Sequence, residues 1–197
     1  MVRAGLVVLT AAAQGCVPPT PTLYDPDALL AAKRVSVLPL ADGPGPSGKS
    51  SARVVAGVVL GQIVNLGRYS VVTVSEDQLQ AALKSTNLAA EDCYDPAVAA
   101  ALGRELGADM VVTGGLPHFG TQQEMSSTAV LVVAGGGTNT THWVCLNLRL
   151  VRCSDGKVVY TGFGTASSPQ GYAPAAADAC RQATLALKFL LDQDKKK

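Results

Sequence analysis

The sequence predicts an α/β fold, a single domain in which a mixed β-sheet is flanked by helices. Two observations carry that prediction. The chain has 197 residues, 48% hydrophobic and 16% charged, a one-domain length with enough apolar material for a core and too little charge for a disordered chain. Its apolar segments then run in the order βαβααβ, followed by βββ and a closing helix, which a layered sheet-and-helix architecture accommodates. Aromatic residues make up only 5%, so Val, Leu and Ala must build the core. Lys and Arg number 16 against 15 Asp and Glu. That balance gives no global electrostatic case for nucleic acid or a polybasic membrane-surface partner. No internal repeat is visible.

The first segment is an address. Met1-Val2-Arg3 is a short basic region, and Ala4 to Ala13 is an apolar run of about ten residues, too short to span a bilayer but right for a signal sequence. Ala13-Gln14-Gly15-Cys16 follows and resembles a bacterial lipobox, in which the thiol of Cys16 takes the lipid. Residues 1–15 then read as a lipoprotein signal peptide. Val17, rather than Asp, sends such a lipoprotein to the outer membrane, facing the periplasm. Removing residues 1–15 takes away only Arg3, leaving 16 − 1 = 15 bases against 15 acids.

Residues 16–32 read as a Pro-rich tether and a short helix, begun by the Asp25-Pro26 cap and N1 pair. The domain proper spans 33–192. Arg34 to Leu40 is a strand with Pro39 at its exit, and Ser51 to Leu66 is a helix closed by Gly67. Tyr69 to Val74 is a second strand. Ser75 and Gln78 form a capping box before the stripe Leu79, Ala82, Leu83. Asp95-Pro96 caps a helix that buries Val98, Ala101, Leu102 and Leu106 and ends at Gly107. Asp109 to Thr113 is a third strand. Ala129 to Ala134, the Gly135–Gly137 turn, and Trp143 to Arg152 read as antiparallel strands, with Val144, Leu146, Leu148 and Leu150 facing inward. Ser154 to Lys157 is a hairpin turn into Val158–Tyr160, and Gly164 to Ser168 reads as a small-residue loop. The last helix, about Ala175 to Leu191, buries Ala176, Cys180, Ala183, Leu187 and Leu191; residues 193–197 are a charged tail.

Gly43 to Ser50 fits the phosphate-loop pattern G-x-x-x-x-G-K-[ST] letter by letter. Nucleotide binding through residues 43–50 is a distant alternative, and three arguments oppose it. Pro46 lacks the backbone N–H such a loop needs. No later strand ends in an apolar run and an Asp to hold Mg²⁺. A periplasm-facing lipoprotein also meets essentially no ATP. No local signature supports catalysis, and Asp92 and Asp95 read as turn and cap residues, so the chain is expected not to be an enzyme and to need no cofactor. His118 and His142 have no ligand spacing with any Cys, so no metal site is expected.

Four cysteines remain beyond Cys16: Cys93, Cys145, Cys153 and Cys180. In an exported protein an even number is consistent with disulfides. Cys145 and Cys153 on one extended strand would stand about 26 Å apart, too far to pair. Cys93 with Cys180 is one pairing across elements, and buried free thiols are the alternative.

Arg34-Val-Ser-Val-Leu-Pro-Leu40, Gly67-Arg-Tyr-Ser-Val-Val72, Leu106-Gly-Ala-Asp-Met-Val-Val-Thr-Gly114 and Leu146-Asn-Leu-Arg-Leu-Val151 leading to Asp155-Gly-Lys-Val-Val159 together resemble the CsgG / TolB N-terminal-domain-like superfamily of outer-membrane lipoproteins, with its PelC- and LpoB-like relatives. The resemblance covers roughly residues 33–191. It implies an outer-membrane lipoprotein that works through envelope protein partners and homo-oligomer formation, without catalysis. Within that group, a curli-type pore inserts two membrane hairpins per subunit, whereas one hairpin, at about 125–152, is available here. A short tether favours a PelC-like accessory role in secretion or export over an LpoB-like activator of a cell-wall synthase.

The helix Ala52–Leu66 carries the oligomer expectation. Its only polar residues are Arg53, Gln62 and Asn65, and its valines spread around the circumference. A helix covering a sheet needs one apolar stripe, not two. Gly57 and Gly61, four apart, add a flat strip for close backbone approach. Either a neighbouring segment of the same chain covers this second face or another subunit does, in a ring.

Overall fold

The computed structural model describes residues 20–42, 50–86, 88, 90–125 and 138–196. The signal segment, Cys16, the first part of the tether, Gly43–Lys49 of the phosphate-loop match, and the Ala129–Ala134 strand with its Gly135–Gly137 turn lie outside these residues.

Short β1 (Thr22–Leu23) precedes α1 (Pro26–Ala31), β2 (Arg34–Val37) and β3 (Ala41–Asp42). Then come α2 (Ser50–Asn65), β4 (Ser70–Val72), α3 (Glu76–Thr86), a 3₁₀ turn at Ala90–Tyr94, and α4 (Pro96–Glu105). The second half is β5 (Met110–Met125), β6 (Thr138–Arg152), β7 (Val158–Ser168) and α5 (Tyr172–Asp194). The helix starts are chemically specified. Asp25 accepts the Ala28 N–H at 3.0 Å, Asp95 those of Ala97 and Val98, and Ser75 and Gln78 bond each other's backbone N–H. Gly67 (φ 65°) and Gly107 (φ 70°) take the left-handed conformation just past α2 and α4.

The seven strands form one mixed sheet in the order β1-β7-β6-β5-β2-β4, with β3 also paired to β5. β4, β2 and β5 run parallel; β5, β6, β7 and β1 run antiparallel. The predicted Arg34–Leu40 strand is interrupted because Pro39 cannot donate to the ladder, and the chain rejoins β5 as β3 at Ala41↔Gly115. Helices cover both faces. On one, α1, α2 and α5 bury Leu29, Val55, Val59, Ile63, Ala183 and Leu187 against Val35, Met110, Val112 and the inward residues of β6. On the other, α3 and α4 bury Leu83, Ala99 and Leu102 against Leu38, Val111 and Val151.

Before the domain proper, β1 joins the sheet at Thr22, pairing with Thr161, and the short helix α1 follows at Pro26. Three expectations are corrected. The third strand does not end at Thr113 but continues to Met125, and it pairs with β6 over the register Met110↔Arg152 to Met125↔Thr138. A β-bulge between Gly115 and His118, at Pro117, breaks the alternation that would have shown this from the sequence. Gly164 to Ser168 is strand, not loop. Its glycine is there for contact: a Cβ on Gly162 or Gly164 would land on the carbonyl oxygen of Ala183 or Ala179, because α5 lies directly on β7.

Cys93 and Cys180 are the third correction. Both are free and buried, but in the cores on opposite faces of the sheet. The sheet itself separates them, so the predicted pairing cannot form.

Candidate functional site

The unexplained surface lies on α2. Val55, Val59 and Ile63 are fully buried against the sheet. Val54, Gly57, Gly61 and Val64, spaced three, four and three, form the opposite face. Val54 is 54% exposed and Val64 52%. A Cβ on Gly57 or Gly61 would meet nothing within 4 Å. Each glycine costs a mid-helix position about 1 kcal/mol relative to Ala, and no contact among the described residues requires either. Neither α1 nor α5 covers the stripe. α5 packs beside α2 on the same sheet face, with its C-terminus tied to the end of α2 by Arg68–Asp194 at 3.4 Å.

α5 has an outer face of its own, which the sequence reading missed. Its buried stripe includes Ala176, Cys180, Ala183, Leu187 and Leu191, as expected. Leu185 and Phe189, one turn apart and off that stripe, are 62% and 65% exposed. The signal was present in the spacing. Of the five large hydrophobic side chains exposed among the described residues, four stand on α2 and α5, and the fifth, Tyr24, follows β1.

A groove of about 440 Å³ opens beside the first half of α2. It sits outside the carboxyl ends of β2 and β4, whose following helices leave to opposite faces of the sheet, the place where open α/β sheets form crevices. Leu40, Ala56, Leu60, Val74 and Leu79 line it, and Arg53 bridges to Glu76 at 2.9 Å across its rim. Both side chains of that pair are well exposed, so it contributes little to stability. Asp42 points its carboxylate at the first turn of α2 and accepts the Ala52 N–H at 3.1 Å. A carboxylate already occupies the end of the helix where a phosphate would bind, a further argument against nucleotide binding through residues 43–50.

The thiols are set for packing. Burial pushes Cys93 and Cys153 up to about 11 and Cys180 to about 12, so each is a neutral thiol at physiological pH. Cys145 is half-buried against the Thr165 hydroxyl at 3.3 Å. His142 sits edge-on to Tyr172 at 4.5 Å, and Tyr172 stacks on Phe119. No group of three or more His, Cys, Asp or Glu could hold a metal ion among the described residues. No helix among them is long and apolar enough to cross a membrane.

Comparison with known proteins agrees with this architecture. The PelC dodecamer from Paraburkholderia phytofirmans, in two crystal forms, superposes with TM-scores of 0.53 and 0.52 at 13% and 14% identity. The match covers 88% and 87% of this chain and 98% and 94% of PelC. Lipoprotein GNA1162 from Neisseria meningitidis is 16% identical with a TM-score of 0.47, covering 84% of this chain and 99% of that one. No curated protein matches the chain. At these identities the likeness to PelC establishes the fold. The sequence profile of the curli production assembly/transport component CsgG matches residues 49–175, from the start of α2 into α5 and well over half of the chain. With the mixed, helix-flanked sheet already described, this places the chain in the CsgG family.

Proposed function

We propose that the protein is a lipid-anchored, periplasm-facing outer-membrane lipoprotein that acts, without catalysis, as an oligomeric assembly or accessory component of an envelope secretion or export system. The observation that carries the reading is the α2 stripe. In a CsgG-family domain, Val54, Gly57, Gly61 and Val64 present an apolar face that no described residue covers, with glycines that no contact among the described residues requires. Exposed apolar patches of this kind mark protein contacts. The solved PelC structures are dodecamers, which is consistent with assembly as a ring.

Anchoring rests on the lipobox-like Ala13-Gln14-Gly15-Cys16. With the sheet beginning at Thr22, six residue steps separate Cys16 from the folded domain, a reach of at most about 19 Å in polyproline form. Such a tether keeps the domain at its membrane and supports the accessory role over an activator that must reach a distant cell-wall synthase. Chemical crosslinking in intact cells tests the reading. An export-channel component recovered with the protein supports it, and a cell-wall synthase recovered instead replaces it with the regulatory alternative. Cys16→Ala should move the protein out of the membrane fraction and abolish incorporation of labelled fatty acid. Unchanged fractionation without label in the parent protein would remove the anchor from the account.

A further inference from the structure

We propose that the ribbon end of the sheet, where β5 and β6 run on past Trp143, rests against the surface of the membrane that holds Cys16. It rests on the lipid anchor proposed above and adds which end of the domain faces the bilayer.

The first observation is the direction and length of the tether. β1 runs antiparallel to β7, with Thr22 beside Thr161, so the chain before Thr22 comes from the ribbon end of the sheet. Three of the five residues between Cys16 and Thr22 are prolines, a composition that keeps a linker extended. Cys16 stands six residues before Thr22, and Ser167 six residues after Thr161. Drawn straight along β7, the tether therefore brings Cys16 only level with Ser167, whose neighbours across the sheet are Trp143 and then Gly120. β5 and β6 continue for five further paired residues, from Thr121↔His142 to Met125↔Thr138. At about 3.4 Å per residue this adds roughly 17 Å. A tether arriving from that side cannot hold the end of the ribbon clear of the bilayer.

The second observation is charge. Residues 116–125, 138–147 and 162–172, which form this end, contain a single charged residue, Glu124. On the β2 side, pairing stops at Asp42↔Leu116, so the ribbon is the leading part of the end. At the opposite end of the strands Arg34 pairs with Asp109, Arg68 with Asp194, and Arg152 with Asp25 and Asp155. Charged groups are expensive to bring into a bilayer, so the charge-poor end is the one suited to approach it.

The third observation is the set of side chains there. Phe119 stacks on Tyr172 at 4.2 Å, and His142 meets the same ring edge-on. Trp143, one residue on and facing the other side of the sheet, is half-buried, while Thr121 and Gln122 are exposed. Aromatic rings among uncharged polar groups match the headgroup layer, where Trp and Tyr collect. That layer is only roughly 5–8 Å deep on each side of a bilayer, so the ribbon slants within it and does not stand upright.

Trp143 is the only tryptophan in the chain, and its fluorescence reports this end directly. The lipid-modified protein is reconstituted in vesicles of phosphatidylethanolamine and phosphatidylglycerol, with ordinary or with brominated acyl chains, and recovered by flotation. Brominated chains should quench Trp143. The double variant Trp143→Phe, Lys157→Trp moves the tryptophan to the charged end, where the Lys157 side chain is 74% exposed; its emission should be the same in both vesicles. Protein that floats while Trp143 emits equally in both vesicles overturns the proposal and leaves the anchor standing. Quenching of the double variant as strong as that of the parent overturns it too, because neither end would then be preferred. A parent that does not float removes the anchor and this inference together.

Discussion

Gly164 on β7 lies directly beneath the backbone carbonyl of Ala179 on α5, so closely that no side chain fits between strand and helix. Gly162 stands in the same relation to Ala183, whose carbonyl also accepts the Tyr160 hydroxyl at 2.6 Å. The longest helix is thus seated by two glycines, and its outward face is aimed by that seating. Gly164→Ala should force α5 off the sheet and cost about 1–3 kcal/mol, read as a lower urea midpoint. An unchanged midpoint would mean that α5 does not sit this close.

The α2 glycines should behave in the opposite way. With open space around them, Gly57→Ala and Gly61→Ala should each stabilise the dissociated chain by about 1 kcal/mol through helix propensity. The same changes should weaken association. Thermal melts at low protein concentration, compared with sedimentation at high concentration, separate the two effects.

Acid should loosen the ends of the sheet. The Arg152 guanidinium bonds Asp155 and, with the Lys157 N–H, holds its carboxyl well below the usual range against the opposing effect of desolvation. Asp109 is also lowered. Desolvation would raise it, but the Arg34 and Lys33 N–H groups, bonded at 2.8 and 3.0 Å, and the charges of the same two residues outweigh that. Both folded-state values lie below the unfolded value of about 3.9. Their stabilisation is therefore complete above about pH 4 and is lost as pH falls further through the folded values. Urea midpoints should drop below pH 4, and less so in Asp109→Asn and Asp155→Asn. Parallel curves for parent and variants would contradict the assignment.

The four thiols beyond Cys16 should all be free. Unfolded without reductant, the protein should take four alkyl groups on Cys93, Cys145, Cys153 and Cys180. In the native state Cys145 should react first, the other three being buried neutral thiols. A mass two groups short would reveal a bridge.

Much of this fold was legible because its helix signals are local. Asp25-Pro26, Ser75 with Gln78, and Asp95-Pro96 each specify a helix start through a bond within three residues. What was hidden depends on distant contacts. The bulge at Pro117 masked the continuation of β5, and small residues in β7 resemble a loop until α5 is placed upon them. The separation of Cys93 from Cys180 follows from which face each helix covers, which periodicity alone does not state. The α2 face was legible from its excess of apolar residues, whereas the exposed Leu185 and Phe189 on α5 stand off the buried stripe that the periodicity reported.

The central claim is that the outer face of α2 is an assembly surface, and sedimentation of the full-length protein in mild detergent tests it most directly. The account predicts a discrete multimer at micromolar concentration, and for Gly61→Leu a smaller species with unchanged circular dichroism. A single-subunit mass for the parent across that range would contradict it.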